Sequence, residues 1–223
     1  MFITAFFAIF VKFILFVVFL KVSSNFNCDS LLNQFIIFSL IVGCFMSINQ
    51  TEIKRLLAYS SIVHVAFLFM GDATSSLLYL LTYAVSSLVL FSVLLFLQLG
   101  GKEVVYLNDL KFLRGAGLFP VGCVTVALAS SAGLPPFAGF YGKFLVWSSL
   151  VEDIYLSNSI DSYYILFLSI TISLITIFYY MRLIAYLFIG QDDQTKSAGF
   201  IVDDSSYLRA SIFQGLLVVI LIF

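Results

Sequence analysis

The sequence predicts an all-α, polytopic membrane protein of about seven transmembrane helices, one of them broken by Pro135 and Pro136. Three observations carry this. The chain of 223 residues is 62% hydrophobic and only 10% charged, where a soluble domain carries roughly 25% charged residues. Mean hydropathy is +1.11. Apolar runs about 20 residues long, the length needed to cross a bilayer, alternate with short polar punctuation.

In chain order the predicted crossings are 1–22, 31–49, 55–71, 75–99, 118–150, 163–189 and 208–223. The two longest connections, 100–117 and 190–207, hold most of the charge. If the crossings alternate, one side receives Lys54, Arg55, Lys102, Lys111, Arg114, Lys196 and Arg209. The other side receives Lys21 alone. Cations concentrate on the cytoplasm-equivalent side of membrane proteins, so the N-terminus is expected there and the C-terminus on the opposite side. A missed crossing would scramble this sorting.

The fifth crossing is too long for one straight helix. Pro135 and Pro136 remove two amide donors, and Leu134 before them is pushed away from helical geometry. Gly133, Gly139 and Gly142 flank the break. Irregular backbone at membrane depth survives only where protein or a water-filled cavity satisfies it, and broken helices of this kind mark ion paths in transporters.

Composition excludes several functions. A net charge of −1 gives no electrostatic case for nucleic acid. Cys28, Cys44 and Cys123 are scattered and odd in number, fitting neither a disulfide framework nor a metal site. The chain has no CxxC, HExxH, Walker loop or GxGxxG. Nicotinamide, flavin and iron–sulfur clusters are therefore not expected in this chain. The first run is not read as a signal peptide, because Lys12 splits its apolar core. The 26 phenylalanines and single Trp147 are a bias that an AT-rich genome would produce, so an organelle-encoded protein is the expectation.

All twelve acidic residues fall in loops or at helix ends. The ionisable groups left inside apolar runs are Lys12, Lys143, His64 and Arg182. An ammonium at membrane depth costs about 2.5–3.5 kcal/mol on insertion scales and marks a functional site by default. Lys12 has about ten apolar residues on each side, roughly 15 Å to either end, too far for its stem to reach water. The competing reading is a structural ion pair with another chain. Lys143 lies about two turns past Pro136, near the break; its competing reading is an anchor at the headgroups. His64 follows Ser60 and Ser61, and serves equally as a relay or as a satisfied structural group. Tyr79, Tyr83, Ser86 and Ser87 share one face of the fourth crossing. Such a stripe either bonds helix to helix or, through Tyr79, Tyr83 and Ser87, lines a hydration path. Arg182 is placed to snorkel.

Three segments, in order, resemble a known family. NQTEIKRLLAYSSIVHVAFLFMG and LPPFAGFYGKFLVW are similar to the serine–histidine and broken-helix segments of the antiporter-like subunits of respiratory complex I, and AIFVKFILFVVFL resembles their lysine-bearing central helix. The form is most similar to the chain-2 branch of NADH:ubiquinone oxidoreductase. The resemblance implies fourteen helices containing two five-helix inverted repeats, each with a broken helix and its lysine. It implies that 1–22 is the last helix of the first repeat, that 31–189 is the second repeat, that 190–207 is a loop, and that 208–223 is a C-terminal helix. Lys143 would be the broken-helix lysine, with Lys12 and His64 as relay partners. NADH, FMN, iron–sulfur clusters and ubiquinone would reside in other subunits, and the location would be the mitochondrial inner membrane with the N-terminus on the matrix side. The resemblance reaches only the second half of the family. The expectation is a split subunit whose front half, including a carboxylate for Lys12, comes from a separate chain. A multisubunit Na⁺/H⁺ antiporter and a non-pumping structural remnant are the competing expectations.

Overall fold

A computed structural model describes residues 2–23, 29–99, 105–157, 160–188 and 204–222. They form eight α-helices: α1 (Phe2–Ser23), α2 (Asp29–Ile48), α3 (Ile53–Met70), α4 (Ala73–Leu99), α5 (Leu118–Ala132), α6 (Ala138–Ser157), α7 (Ile160–Phe188) and α8 (Asp204–Ile222). Among the described residues, four stretches qualify as crossings by length and apolar composition alone: Ser30–Ile48, Ile53–Met70, Ala73–Leu95 and Ile160–Phe188. Lys102, Lys196, Cys28 and most of the 190–207 loop lie outside the described residues.

The predicted fifth crossing is two helices. α5 closes on Gly133, whose φ of +83° is left-handed and comfortable for glycine. The Gly133 N–H donates to Ser130 O (2.9 Å), and Leu134 N–H donates to Ala129 O (3.0 Å), satisfying carbonyls left open at a helix end. The chain turns through exposed Pro135 and Pro136 and re-enters as α6. That helix runs to Ser157 rather than 150, carrying exposed Glu152 and Asp153 beyond the apolar stretch. α8 starts at Asp204 rather than 208.

Residues 105–117 are more ordered than a loop. Leu107–Ala116 is a 3-10 helix. Side chains three apart eclipse in that geometry, so Leu107, Leu110 and Leu113 form one buried row. Asp109 accepts from the Val105 and Tyr106 amides (3.0 and 2.8 Å). Ile53 N–H donates to Val105 O and Leu107 N–H to Thr51 O (3.1 and 3.0 Å), fastening this segment to the start of α3.

α4 is central, touching α1, α3, α5, α6 and α8. α1, α3 and α6 end where α2, α4 and α7 begin: Leu20, Met70 and Asp153 surround one cavity with Ser30, Ala73 and Asp161. Two apolar cores form. One includes Leu56, Val89, Leu113, Leu128 and Leu183; the other includes Leu40, Val63, Phe67, Leu80 and Val146. Phenylalanines on α2 and α7 (Phe35, Phe38, Phe45, Phe167 and Phe178) stay exposed, as a lipid-facing surface requires. Gly43 and Gly142 give close approach: a Cβ on Gly43 would sit 2.8 Å from Val63 Cγ2, and one on Gly142 3.0 Å from the Tyr79 ring.

Candidate functional site

The polar groups gather where α1, α3, α4, α6 and α7 face one another. His64 is 3% exposed and joins the two cores. Its Nδ1 lies 2.6 Å from Tyr79 Oη, and its Nε2 lies 3.0 Å from Tyr180 Oη. Tyr79 belongs to one core and Tyr180 to the other. A neutral imidazole has one donor and one acceptor nitrogen, whereas the cation has two donors. One tyrosine therefore donates to neutral His64 and the other accepts. Once His64 is protonated, both accept. The same three side chains satisfy both charge states.

Lys12 connects on one flank. Its Nζ donates to Tyr83 Oη (2.7 Å) and to Ser61 O (3.3 Å). The ammonium also lies 4.2 Å from the Tyr83 ring centroid, within cation–π range. The Tyr83 ring is in turn 4.7 Å from the His64 ring. Tyr83 thus contacts both titratable groups.

Lys143 connects on the other flank and is 2% exposed. Its Nζ donates to Ala132 O (2.7 Å) and sits 5.5 Å from the Phe67 ring centroid. Ala132 is the last residue of α5. A cation from α6 therefore meets the carbonyl end of α5, where the helix dipole is negative. This explains physically why a helix break and a buried lysine belong together. Gly133 leaves room for the stem: a Cβ there would lie 2.9 Å from Lys143 Cδ. Gly139 brings α6 against α5, its N–H donating to Ser130 Oγ (3.2 Å).

Two cavities touch this cluster. A cleft of about 340 Å³ runs from Lys54, near the start of α3, past Ser60, Ser61 and Ser87 to Lys12 and Tyr83. A smaller space among His64, Tyr79, Tyr83, Ser86, Ser130 and Gly139 has room for roughly one water molecule. Tyr83, Ser86 and Ser131 line both. Among the described residues, no carboxylate reaches Lys12 or Lys143; Glu52 pairs with Arg55 (3.0 Å).

The structure brings Lys12, His64, Lys143, Tyr79 and Tyr83 together, with Ser87 on the cleft wall. Pro135 and Pro136 shape the break without lining the cluster. Arg182 does not snorkel: Nη1 donates to Ile48 O (3.0 Å) and Nη2 to Gln50 O (2.9 Å), capping the end of α2. Sequence reasoning missed Tyr180. The available signal was the Tyr179–Tyr180 pair in an otherwise apolar run, since a buried hydroxyl needs a partner.

Known proteins resemble this chain in sequence and in fold. Residues 1–176 match the family described as NADH:quinone oxidoreductase/Mrp antiporter, transmembrane. NADH-quinone oxidoreductase subunit N of Laribacter hongkongensis is 34% identical over 168 residues, covering 72% of this chain and 33% of that protein. The chloroplastic NAD(P)H-quinone oxidoreductase subunit 2 of Chaetosphaeridium globosum is 33% identical over 196 residues, covering 82% and 37%. A chain in the structure of respiratory complex I from Thermus thermophilus with bound aureothin superposes with a TM-score of 0.68 at 27% identity, covering 85% of this chain and 42% of that one. The chain thus spans about a third of the length of the curated relatives it matches. It belongs to the NADH:quinone oxidoreductase/Mrp antiporter transmembrane family.

Proposed function

We propose that this chain is a proton-translocating subunit of the membrane arm of a complex I-type NADH:quinone oxidoreductase. The observation that carries the reading is the buried sequence Lys12–Tyr83, His64 between Tyr79 and Tyr180, and Lys143 on Ala132 O. A proton entering along the cleft from Lys54 reaches Lys12. His64 takes it up in bonds that suit either charge state, and Lys143 receives it at the helix break. Charge changes next to one titratable group alter proton occupancy at the others. Hydride and electron transfer belong to other subunits, which hold NADH, FMN, iron–sulfur clusters and ubiquinone.

The proposed location is the mitochondrial inner membrane, N-terminus on the matrix side and C-terminus on the intermembrane-space side. Seven cations against one across alternating crossings support that orientation. The phenylalanine bias supports an organelle genome. We further propose that helices equivalent to the relatives' unmatched length dock beside α1 and supply a carboxylate to Lys12. The ammonium's reliance on neutral oxygens among the described residues supports this.

Mild-detergent extraction, a native gel stained for NADH oxidation and mass spectrometry of the active band test the reading. Comigration with activity and with a polypeptide of the missing helices supports a split subunit. Comigration without one favours a structural remnant, and absence from every NADH-oxidising band favours a cation/proton antiporter.

A further inference from the structure

Among the described residues two buried polar atoms have no hydrogen-bond partner, Tyr179 Oη and Arg182 Nε. They differ in kind. The Arg182 guanidinium is held by two other bonds. Tyr179 is 0% exposed, and its hydroxyl is its only polar side-chain group. Phenylalanine would fill the same core position with no unmet bond, so an orphaned buried hydroxyl there calls for a reason.

The surroundings supply one. Tyr179 and Tyr180 are adjacent in α7, with ring centroids 4.6 Å apart. The Tyr179 oxygen sits beside the hydroxyls of Tyr180 and Ser47 without closing a bond to either. Ser47 is fully buried in α2 and gives its own hydrogen to Cys44 O (2.7 Å), which leaves its lone pairs free. Among the described residues Tyr180 makes one hydrogen bond, to His64 Nε2.

A phenol carries one hydrogen and two acceptor lone pairs. While His64 is neutral, one of its two tyrosines can give that hydrogen to the ring. An imidazolium donates from both nitrogens, so neither Tyr79 nor Tyr180 can then point its hydrogen at the ring. Each needs an outlet elsewhere. Tyr79 lines the space with room for roughly one water. Beside Tyr180 lie Ser60 and Ser131 on the cleft side and Tyr179 in the core. Of these three oxygens, only that of Tyr179 belongs to a hydroxyl with no bond of its own.

We propose that Tyr179 is a positioning residue for the charged form of His64. When the imidazole is protonated, Tyr180 turns its O–H onto Tyr179 Oη, and Tyr179 turns its own O–H onto Ser47 Oγ. The hydroxyl hydrogens rotate and none is transferred. The orphan of one charge state is thus the partner of the other. This rests on His64 taking up a proton, as proposed above.

The test measures pumping by the assembled complex in proteoliposomes across the pH range around neutrality. Tyr179→Phe removes a hydroxyl that bonds nothing at rest, so the melting temperature should hold or rise. Protonated His64 loses its outlet, a change of roughly tenfold in proton affinity. The high-pH limb of the pumping profile should therefore move about one unit toward lower pH. Ser47→Ala should move it the same way by less. Tyr79 and Tyr83 of α4, Tyr180 of α7, Lys12 of α1 and Lys143 of α6 are the titratable groups around His64, and both variants leave them in place. A Tyr179→Phe profile that superimposes on the native one would overturn the assignment. So would a melting temperature that falls as far as that of Tyr180→Phe, because the hydroxyl would then be bonded at rest. His64→Gln separates the two layers of the argument. If it pumps at the native rate, the relay through His64 falls and this assignment with it. If it fails to pump while the Tyr179→Phe profile stays put, the Tyr179 assignment alone falls.

Discussion

Tyr79 and His64 come from α4 and α3 and meet at 2.6 Å, the shortest contact of the proposed relay and one made by a stripe that sequence alone could read as mere helix–helix glue. Because Tyr180 holds the other ring nitrogen, removing either hydroxyl orphans a buried nitrogen. Tyr79→Phe and Tyr180→Phe should each destabilise the assembled subunit by about 1–3 kcal/mol and slow proton pumping. Thermal stability and pumping rate in proteoliposomes check this. Both substitutions leaving pumping at the native rate would remove His64 from the path.

Lys143→Ala should lower protons pumped per NADH oxidised while leaving artificial-acceptor NADH oxidation intact. It also strands Ala132 O, so a loss of about 1–3 kcal/mol is expected. Lys143→Arg keeps the donor but titrates far above any working pH, and should keep stability while losing pumping. Proton-to-NADH ratios in fully assembled variants decide it.

Glycine replacements at the break separate shape from charge. Gly133→Ala forces a left-handed residue, costing about 1–2 kcal/mol, and crowds Lys143 Cδ at 2.9 Å. Gly139→Ala drives a methyl into the Ser130 carbonyl and should block assembly outright. The amount of complex on a native gel should fall in the order native, Gly133→Ala, Gly139→Ala.

Arg182→Leu removes two charge-assisted bonds to the end of α2, each about 1.5–3 kcal/mol by the usual scale. The melting temperature should drop clearly. Pumping per assembled complex should stay normal, because Arg182 lies off the relay.

Leu110→Ala empties a buried site in the 3-10 segment and should cost about 2–5 kcal/mol. Limited proteolysis between α4 and α5 should accelerate accordingly.

Helix existence, the break and the buried lysines were legible because each rests on a strong local signal: long apolar runs, a double proline, and cations where hydrocarbon forbids them. The 3-10 segment was hidden because its charge reads as a loop, although Leu107, Leu110 and Leu113 repeat at the period of three that this geometry buries. Tyr180 was hidden for another reason. Its role depends on α7 crossing α3 at His64, a long-range relation with no local trace. Arg182 was read as reaching for water, yet the unsatisfied carbonyls at Ile48 and Gln50 offered a nearer acceptor. Tertiary geometry decides such cases, and periodicity is silent on them.

On the proposed reading, the contact between Lys143 and Ala132 O makes the broken helix a transducer as well as a path. A proton on that amine is the cation holding two half-helices end to flank. Take the proton away, and the electrostatic tie between α5 and α6 weakens with it; restore it, and the tie returns. Occupancy would thereby set how firmly α5 holds α6, and a displacement of either half-helix would alter how firmly the amine holds its proton. Chemistry and displacement at this junction are one variable read in two units.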